Sequence, residues 1–415
     1  MNTTVAVIGA GMVGLSCALE LQARGKQVIL IDRSPPGRET SYGNAGVFTR
    51  SSLLPLNNTG LWRNLPKLMT NTQGSLRWHL GYMARNLSWA LRFLSNATPA
   101  KVRKTCEALD SLITLSLPVH DAWIREAGYE NHLRKTGWIH LFRSSESHGK
   151  GEGNRNILSD FGLRLTDLAP GDIRALEPSL RPIYKKGVLI EDSWSVDNPG
   201  GLVEAYGALF SERGGQFIRM EARTIEETDQ GVTIHGTDSP LVSVDQVVIA
   251  LGPWARSFLE SLGYRVPMGY ERGYHLHFPL TECAPLTRPV YDVDGGCVLA
   301  PMAQGIRVST GVELANLDAP ATNAQMIMAE TTARQALPLG ERIETTPWKG
   351  ARPSFPDSRP VIDRAPGRKR VWLTIGHQHI GLSTGPGTAK LLGALMDGAT
   401  PPIDPTPFQA KRFIS

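Results

Sequence analysis

Val5-Ala6-Val7-Ile8, then Gly9-Ala10-Gly11-Met12-Val13-Gly14, then a helical run from Leu15 to Arg24 open the chain, and their reading decides the fold. Four consecutive apolar residues suit a strand buried on both faces. Gly9 permits a tight turn, Gly11 lets backbone N–H groups approach a pyrophosphate, and Gly14 lets the helix pack close to the strand. The phosphates would sit at the helix N-terminus, where unpaired N–H groups and the helix dipole favour an anion. Gln27-Val28-Ile29-Leu30-Ile31 supplies the next strand. It ends in Asp32, about 20 residues after the glycines, where a ribose hydroxyl needs an acceptor. A glycine-rich turn in some other α/β protein explains the glycines alone, but not strand, helix, strand and acid in this order.

Outward from this stretch, length and composition set bounds. A chain of 415 residues exceeds the size at which one core normally stops growing, so two domains are expected. Hydrophobic content of 41% with 20% charged residues describes a soluble globular protein. The net charge of +5 is modest, and Lys and Arg form no long block, so no nucleic-acid partner is expected. Cys17, Cys106, Cys283 and Cys297 are widely spaced and contain no CxxC pair, which suggests neither a metal site nor a disulfide framework. Met1-Asn2-Thr3-Thr4 lacks the basic region of a signal peptide, and no apolar run is long enough to span a bilayer. A cytoplasmic location is expected.

Further along, Ser34-Pro35-Pro36-Gly37 is a turn, and Glu39 to Gly46 is a small, polar loop that allows close backbone approach to a planar group. Residues 53–125 read mostly as helix, with Trp62, Trp78 and Trp89 among Arg63, Lys67, Arg77, Arg85 and Arg92. Basic, Trp-bearing amphipathic helices can lie on a membrane surface, so residues 60–95 are a candidate for peripheral contact with its inner face. Packing on the protein itself is the commoner use of such a stripe. Gly137 to Phe142 reads as a strand, Ser144 to Gly153 as a polar loop, and Asn154 to Phe161 as helix. Asn198 caps a helix opened by Pro199. Val247 to Trp254 is a buried strand ending in a glycine turn, and Pro267 to Phe278 and Tyr291 to Thr310 are strand-rich. A last helix is expected from Gly387 to Met396.

Lys349-Gly350-Ala351-Arg352-Pro353-Ser354-Phe355-Pro356-Asp357-Ser358-Arg359-Pro360 and Gly376-His377-Gln378-His379-Ile380-Gly381-Leu382-Ser383-Thr384-Gly385-Pro386-Gly387 complete the pattern. With the N-terminal fingerprint, Ser41 to Gly46 and Val247 to Trp254, they make nearly the whole chain resemble the D-amino acid oxidase superfamily of flavoproteins. Within that superfamily it is most similar to bacterial D-amino acid dehydrogenases, including the group that oxidises 4-hydroxy-D-proline. The resemblance implies an α/β fold: a Rossmann-like FAD-binding domain with a second α+β domain on a mostly antiparallel sheet. Residues 1–52, 185–266 and 348–415 would form the first, and 53–184 and 267–347 the second.

The resemblance implies that Gly9, Gly11, Met12, Gly14, Asp32, Arg33, Ser41, Tyr42, Asn44, Ala45, Gly46, Gly252, Trp254, Gly376, His377, His379, Gly381, Leu382 and Ser383 hold FAD. It makes Arg352 the cation for a substrate carboxylate, onto which a guanidinium forks. Tyr274, in Gly269 to His275, would bond the same carboxylate; the alternative is a core tyrosine with a satisfied hydroxyl. His377 and His379 invite a general-base role, but such loop histidines more often bond backbone, and the family needs no obligatory base. No cysteine follows Cys297, so the cysteine attachment of sarcosine-oxidase-like members is absent and FAD should be non-covalent.

The implied reaction passes a hydride from Cα of a D-amino acid to flavin N5, giving an imine and then a 2-oxo acid and ammonia. D-proline or 4-hydroxy-D-proline would be favoured substrates, and oxygen and a quinone are both open as electron acceptors. An amine or sarcosine-type oxidase and a nucleotide-sensing module without catalysis are the rival readings.

Overall fold

The computed structural model describes residues 3–237, 241–282 and 284–414; Cys283, Met1 and Asn2 lie outside them. Thr4–Ile8 is the centre of a six-stranded sheet ordered Gln216–Arg219, Gln27–Asp32, Thr4–Ile8, Gln246–Ile249, Val371–Ile375, Val361–Arg364. All neighbours are parallel except the last pair, Val361–Arg364 with Val371–Ile375. Alternation along the first strand feeds two cores, as burial on both faces requires. Val5 and Val7 pack with helices Met12–Ala23, Pro199–Glu212 and Gly381–Asp397. Ala6 and Ile8 pack with the three-stranded meander Ala222–Glu227, Val232–Gly236, Val242–Val244 and with helix Ala255–Ser261.

A ten-stranded, mostly antiparallel sheet stands beside it, organised on Gly269–Phe278. This strand pairs with Gly305–Ser309 and Val312–Leu314 on one side and Trp348–Ser354 on the other. Lys186–Ile190 and Trp348–Ser354, grouped above with the cofactor-binding segments, both pair within this larger sheet. Helix Pro99–Glu126, grouped above with the second domain, inserts Leu112, Trp123 and Ile124 into the first core. Its backbone approaches helix Gly381–Asp397 so closely that a Cβ on Gly387 would meet the Leu112 carbonyl at 2.3 Å.

Two local expectations change. Ser144 to Gly153 holds helix Ser145–Lys150 rather than a loop, because the Ser144 side chain accepts from Ser147 N as an N-cap. The last helix begins at Gly381, six residues before the expected start, and runs through Pro386. Proline cannot donate to the Leu382 carbonyl four residues back. His120 does so instead, through Nε2 at 2.7 Å, while its Nδ1 meets the Tyr206 hydroxyl at 2.9 Å. Burial pushes the His120 pKa down to about 3, so the ring stays neutral.

Candidate active site

The C-terminal ends of the parallel strands and one face of the large sheet enclose a cavity of about 700 Å³. Gly9 (φ +116°) turns the chain out of the first strand, where a Cβ would lie 2.3 Å from the Ala250 carbonyl oxygen. A Cβ on Gly14 would lie 1.8 Å from the Gly9 carbonyl oxygen, so only glycine lets the helix start this close. Gly11, at the helix N-cap, contributes no side-chain cap, and Met12 N donates to Ser41 Oγ at 3.0 Å. Asp32 Oδ2 accepts from Ala10 N at 2.6 Å and Oδ1 from Ser34 N at 2.9 Å, which aims the carboxylate at the turn. Gly9, Gly11, Met12, Asp32 and Arg33 all line the cavity. An open helix end, a glycine cradle and a fixed carboxylate are what a dinucleotide requires.

The other anticipated segments converge here. Ser41, Asn44 and Ala45 line the cavity from the loop, Gly252 and Trp254 from the turn after Gln246–Ile249, and His377, His379, Gly381, Leu382 and Ser383 from the last helix start. Arg33 lies over the Trp254 ring at 4.2 Å and pairs with Glu39. Four anticipated residues do not line it. Gly14 packs beneath it; Gly46 and Gly376 hold positive φ against Val196 and Phe355; the Tyr42 ring lies 6.1 Å from that of Trp348.

Behind the loop, Arg307 Nη1 donates to the carbonyls of Tyr42 at 2.8 Å and Asn44 at 2.6 Å. Its Nε donates to His277 Nε2 at 3.0 Å, so His277 is neutral and carries its proton on Nδ1, toward Glu344 Oε1 at 2.5 Å. Burial, and then Arg307 itself, hold the His277 pKa below its usual value. An Arg–His–carboxylate chain, buried at Arg307 and His277, thus grips the backbone of the loop that walls the cavity.

On the large sheet, three directly opposed pairs share one face, Glu271 with Arg352, Gly273 with Gly350 and His275 with Trp348, and all of these but His275 line the cavity. The glycine pair makes room for the longer neighbours. A Cβ on Gly273 would fall 2.8 Å from Arg352 Nη2, and one on Gly350 would fall 2.1 Å from Trp348 Cη2. The Arg352 guanidinium makes no hydrogen bond or ion pair with any described residue; burial lowers its pKa and the charge of Glu271 opposes that. The same cation, after burial, helps push His379 down to about 4, and His379 Nδ1 has no partner among the described residues. His377 Nε2 meets Thr388 Oγ1 at 3.0 Å, and burial pushes its pKa to about 3.

Tyr274 differs from its anticipated carboxylate role. Its hydroxyl donates to Glu313 Oε2 at 2.5 Å and accepts from Arg272 Nη2 at 2.5 Å, deep in the sheet. That geometry supports the satisfied-hydroxyl alternative, although Tyr274 also lines the cavity. Sequence reading missed Trp138, Tyr291 and Gln378, which line the cavity with polar atoms to spare. Among the described residues, Trp138 Nε1 and Gln378 Nε2 have no partner, and the Tyr291 hydroxyl bonds none of them. Gln378 alone gave a signal, lying in the quoted C-terminal loop, where it holds φ +50°. Trp138 and Tyr291 come from Trp138–Phe142 and Val290–Asp292, strands that only the sheet brings together.

Residues 4–395 match the family described as FAD dependent oxidoreductase. A D-amino-acid oxidase of Bradyrhizobium diazoefficiens is 30% identical over 99% of both chains. D-amino acid dehydrogenase 2 of Mesorhizobium japonicum is 29% identical over 97% of this chain and 98% of its own. Among solved structures, glycine oxidase from Geobacillus kaustophilus superposes over all of both chains with TM-score 0.74 at 19% identity. L-proline dehydrogenase from P. horikoshii covers 99% of this chain and 98% of its own, with TM-score 0.72 at 16% identity. The chain belongs to the family of FAD dependent oxidoreductases and shares their fold.

Proposed function

We propose that this FAD-dependent oxidoreductase oxidises D-amino acids to imines, which water converts to 2-oxo acids and ammonia. The carrying observation is Arg352, a recessed guanidinium in the cavity wall with no bonded partner among the described residues. A buried cation is costly unless paired, and a carboxylate meets its fork with two parallel bonds. The D-configuration follows the names of the Bradyrhizobium and Mesorhizobium relatives. A sarcosine-type reading is compatible with the same cation, whereas a simple amine would leave Arg352 unpaired.

FAD, when bound, supplies the two-electron acceptor. The chain's residues hold and orient: the Gly9–Gly14 turn takes the pyrophosphate, Asp32 the ribose, and the Gly381 helix start the opposite end. Arg352 fixes the substrate carboxylate so that the Cα–H faces the acceptor, chiefly a positioning effect. The cofactor is held without a covalent bond, since Cys17, Cys106 and Cys297 are buried and none lines the cavity. The 1–52, 185–266 and 348–415 segments serve the cofactor, with the two strands noted above lent to the substrate sheet. The favoured substrate is D-proline or its 4-hydroxy form, for whose ring hydroxyl Trp138 Nε1 and Tyr291 offer unused bonds.

The protein also touches an anionic membrane surface through residues 60–95. Between Glu39 and Glu107 the sequence has no acidic residue and nine Lys or Arg. Helix Gly60–Met69 buries none of its residues, and Trp62, Met69, Leu80, Leu87 and Leu91 are exposed. Exposed apolar groups among cations suit a lipid headgroup layer. Among the described residues no helix is long and apolar enough to cross a membrane. Sedimentation with phosphatidylglycerol vesicles, but not phosphatidylcholine ones, is expected; no binding to either removes this contact.

Anaerobic mixing of the holoenzyme with D- and L-amino acids tests the activity. Bleaching of the flavin by D-amino acids alone supports it; bleaching by amines lacking a carboxylate, or by none, overturns it.

A further inference from the structure

We propose that Glu271 is the residue that recognises the substrate amine, an inference that rests on the amino acid reading above. Glu271 stands directly opposite Arg352 in the register of Gly269–Phe278 with Trp348–Ser354, and both side chains line the cavity. Opposed residues of an antiparallel pair hold their Cβ atoms about 4.5–5.5 Å apart. A carboxylate and a guanidinium thus stand side by side, yet neither is spent on the other: the structure has no ion pair between them among the described residues. Glu271 is 1% exposed, and its Oε2 has no partner among the described residues.

A buried carboxyl without a bonded cation is costly, and an incoming ammonium offsets that cost. Arg352 offers the complementary charge to an incoming carboxylate. An α-amino acid carries both groups on one carbon, so its zwitterion meets the pair with opposite signs at each end. A 2-hydroxy acid pairs Arg352 but offers Glu271 no positive charge, and a simple amine does the reverse. The missing Cβ of Gly273 leaves room for the Arg352 guanidinium, and that of Gly350 for the Trp348 ring. Glu271 therefore sets the preference for amino acids over other carboxylates, while Arg352 orients the bound molecule. Burial also holds the Glu271 carboxyl above the usual carboxylate range, with Ser354 and Arg352 opposing.

The test is Glu271→Gln, which keeps the shape and removes the charge, in the FAD-loaded enzyme. KM for D-proline and for D-alanine is expected to rise about tenfold or more. The inhibition constant of propionate, which has the carboxylate and no amine, should stay the same or fall, with flavin content and visible spectrum unchanged. Unchanged KM values, or KM and the propionate constant rising together, overturn the proposal. Should this variant not accumulate, Glu271→Asp retains the charge on a shorter stem. Its D-proline KM should then rise while propionate binding holds, and an equal rise in both again overturns it. If wild-type enzyme is not bleached by any D-amino acid, the activity reading itself fails. If it is bleached, and Glu271→Gln bleaches at the same substrate concentrations, only the role of Glu271 fails.

Discussion

His120 donates to the carbonyl of Leu382, the acceptor that Pro386 leaves bare inside the last helix. The bond joins helices Pro99–Glu126 and Gly381–Asp397 just where the second begins to line the cavity. Replacing His120 by Leu strands the Leu382 carbonyl and the Tyr206 hydroxyl, costing about 1–3 kcal/mol. The histidine's folded pKa of about 3 lies below its unfolded value of about 6.5. Its contribution is therefore present above the unfolded value and is lost as pH falls toward the folded one. Thermal melting should show a lower Tm for His120→Leu at pH 7.5 and a shallower loss of Tm between pH 6.5 and 4. Equal melting curves would falsify this role.

Arg352→Lys keeps the positive charge and loses the planar fork. Charged hydrogen bonds contribute about 1.5–3 kcal/mol each, so substrate affinity should fall about tenfold or more while flavin content stays near normal. Titration of D-proline against the flavin spectrum measures the effect. Wild-type affinity in the variant would remove Arg352 from the substrate site.

Acid or heat precipitation should leave FAD in the supernatant. Burial pushes the Cys17 and Cys106 thiols to about 12, far from the thiolate form that bonds a flavin. A yellow band that survives denaturing electrophoresis contradicts this expectation.

Arg307→Lys cannot reach both loop carbonyls and His277 together. Apoprotein titrated with FAD should show a dissociation constant raised about tenfold. Glu344→Ala should do the same more weakly, although Glu344 does not touch the cavity. FAD binding unchanged in both variants would leave the chain a packing feature only.

D-proline or 4-hydroxy-D-proline should reduce the flavin faster than D-alanine in stopped flow. Unused donors in the pocket favour the ring hydroxyl of the 4-hydroxy form, a group that D-alanine lacks. D-alanine as the fastest substrate would overturn the preference and leave the D-amino acid reading intact.

The cofactor side was legible because its requirements fall on consecutive residues. Glycine spacing from Gly9 to Gly14 and the acid at Asp32 are local facts of sequence, and the apolar runs beside them mark buried strands. The substrate side depends on partners contributed from far along the chain. For Tyr274 the sequence left two readings open, because the partner of its hydroxyl, Glu313, lies on a neighbouring strand. Trp138 and Tyr291 carried no local motif, since each sits in an ordinary alternating strand. The early start of the last helix was hidden by Pro386, whose lost bond is replaced by His120 from a helix more than 250 residues earlier.

Thr4 donates to the Asp245 side chain across 241 residues, and the strand that begins at Thr4 pairs with Gln246–Ile249. On a ribosome moving at about 5–20 residues per second, the first strand waits roughly 10–50 s for that neighbour. Until Gln246 emerges, Thr4–Ile8 can bond only Gln27–Asp32, with its other edge open to stray pairing. The site therefore assembles late, since Arg352 and the helix start at Gly381 are made later still.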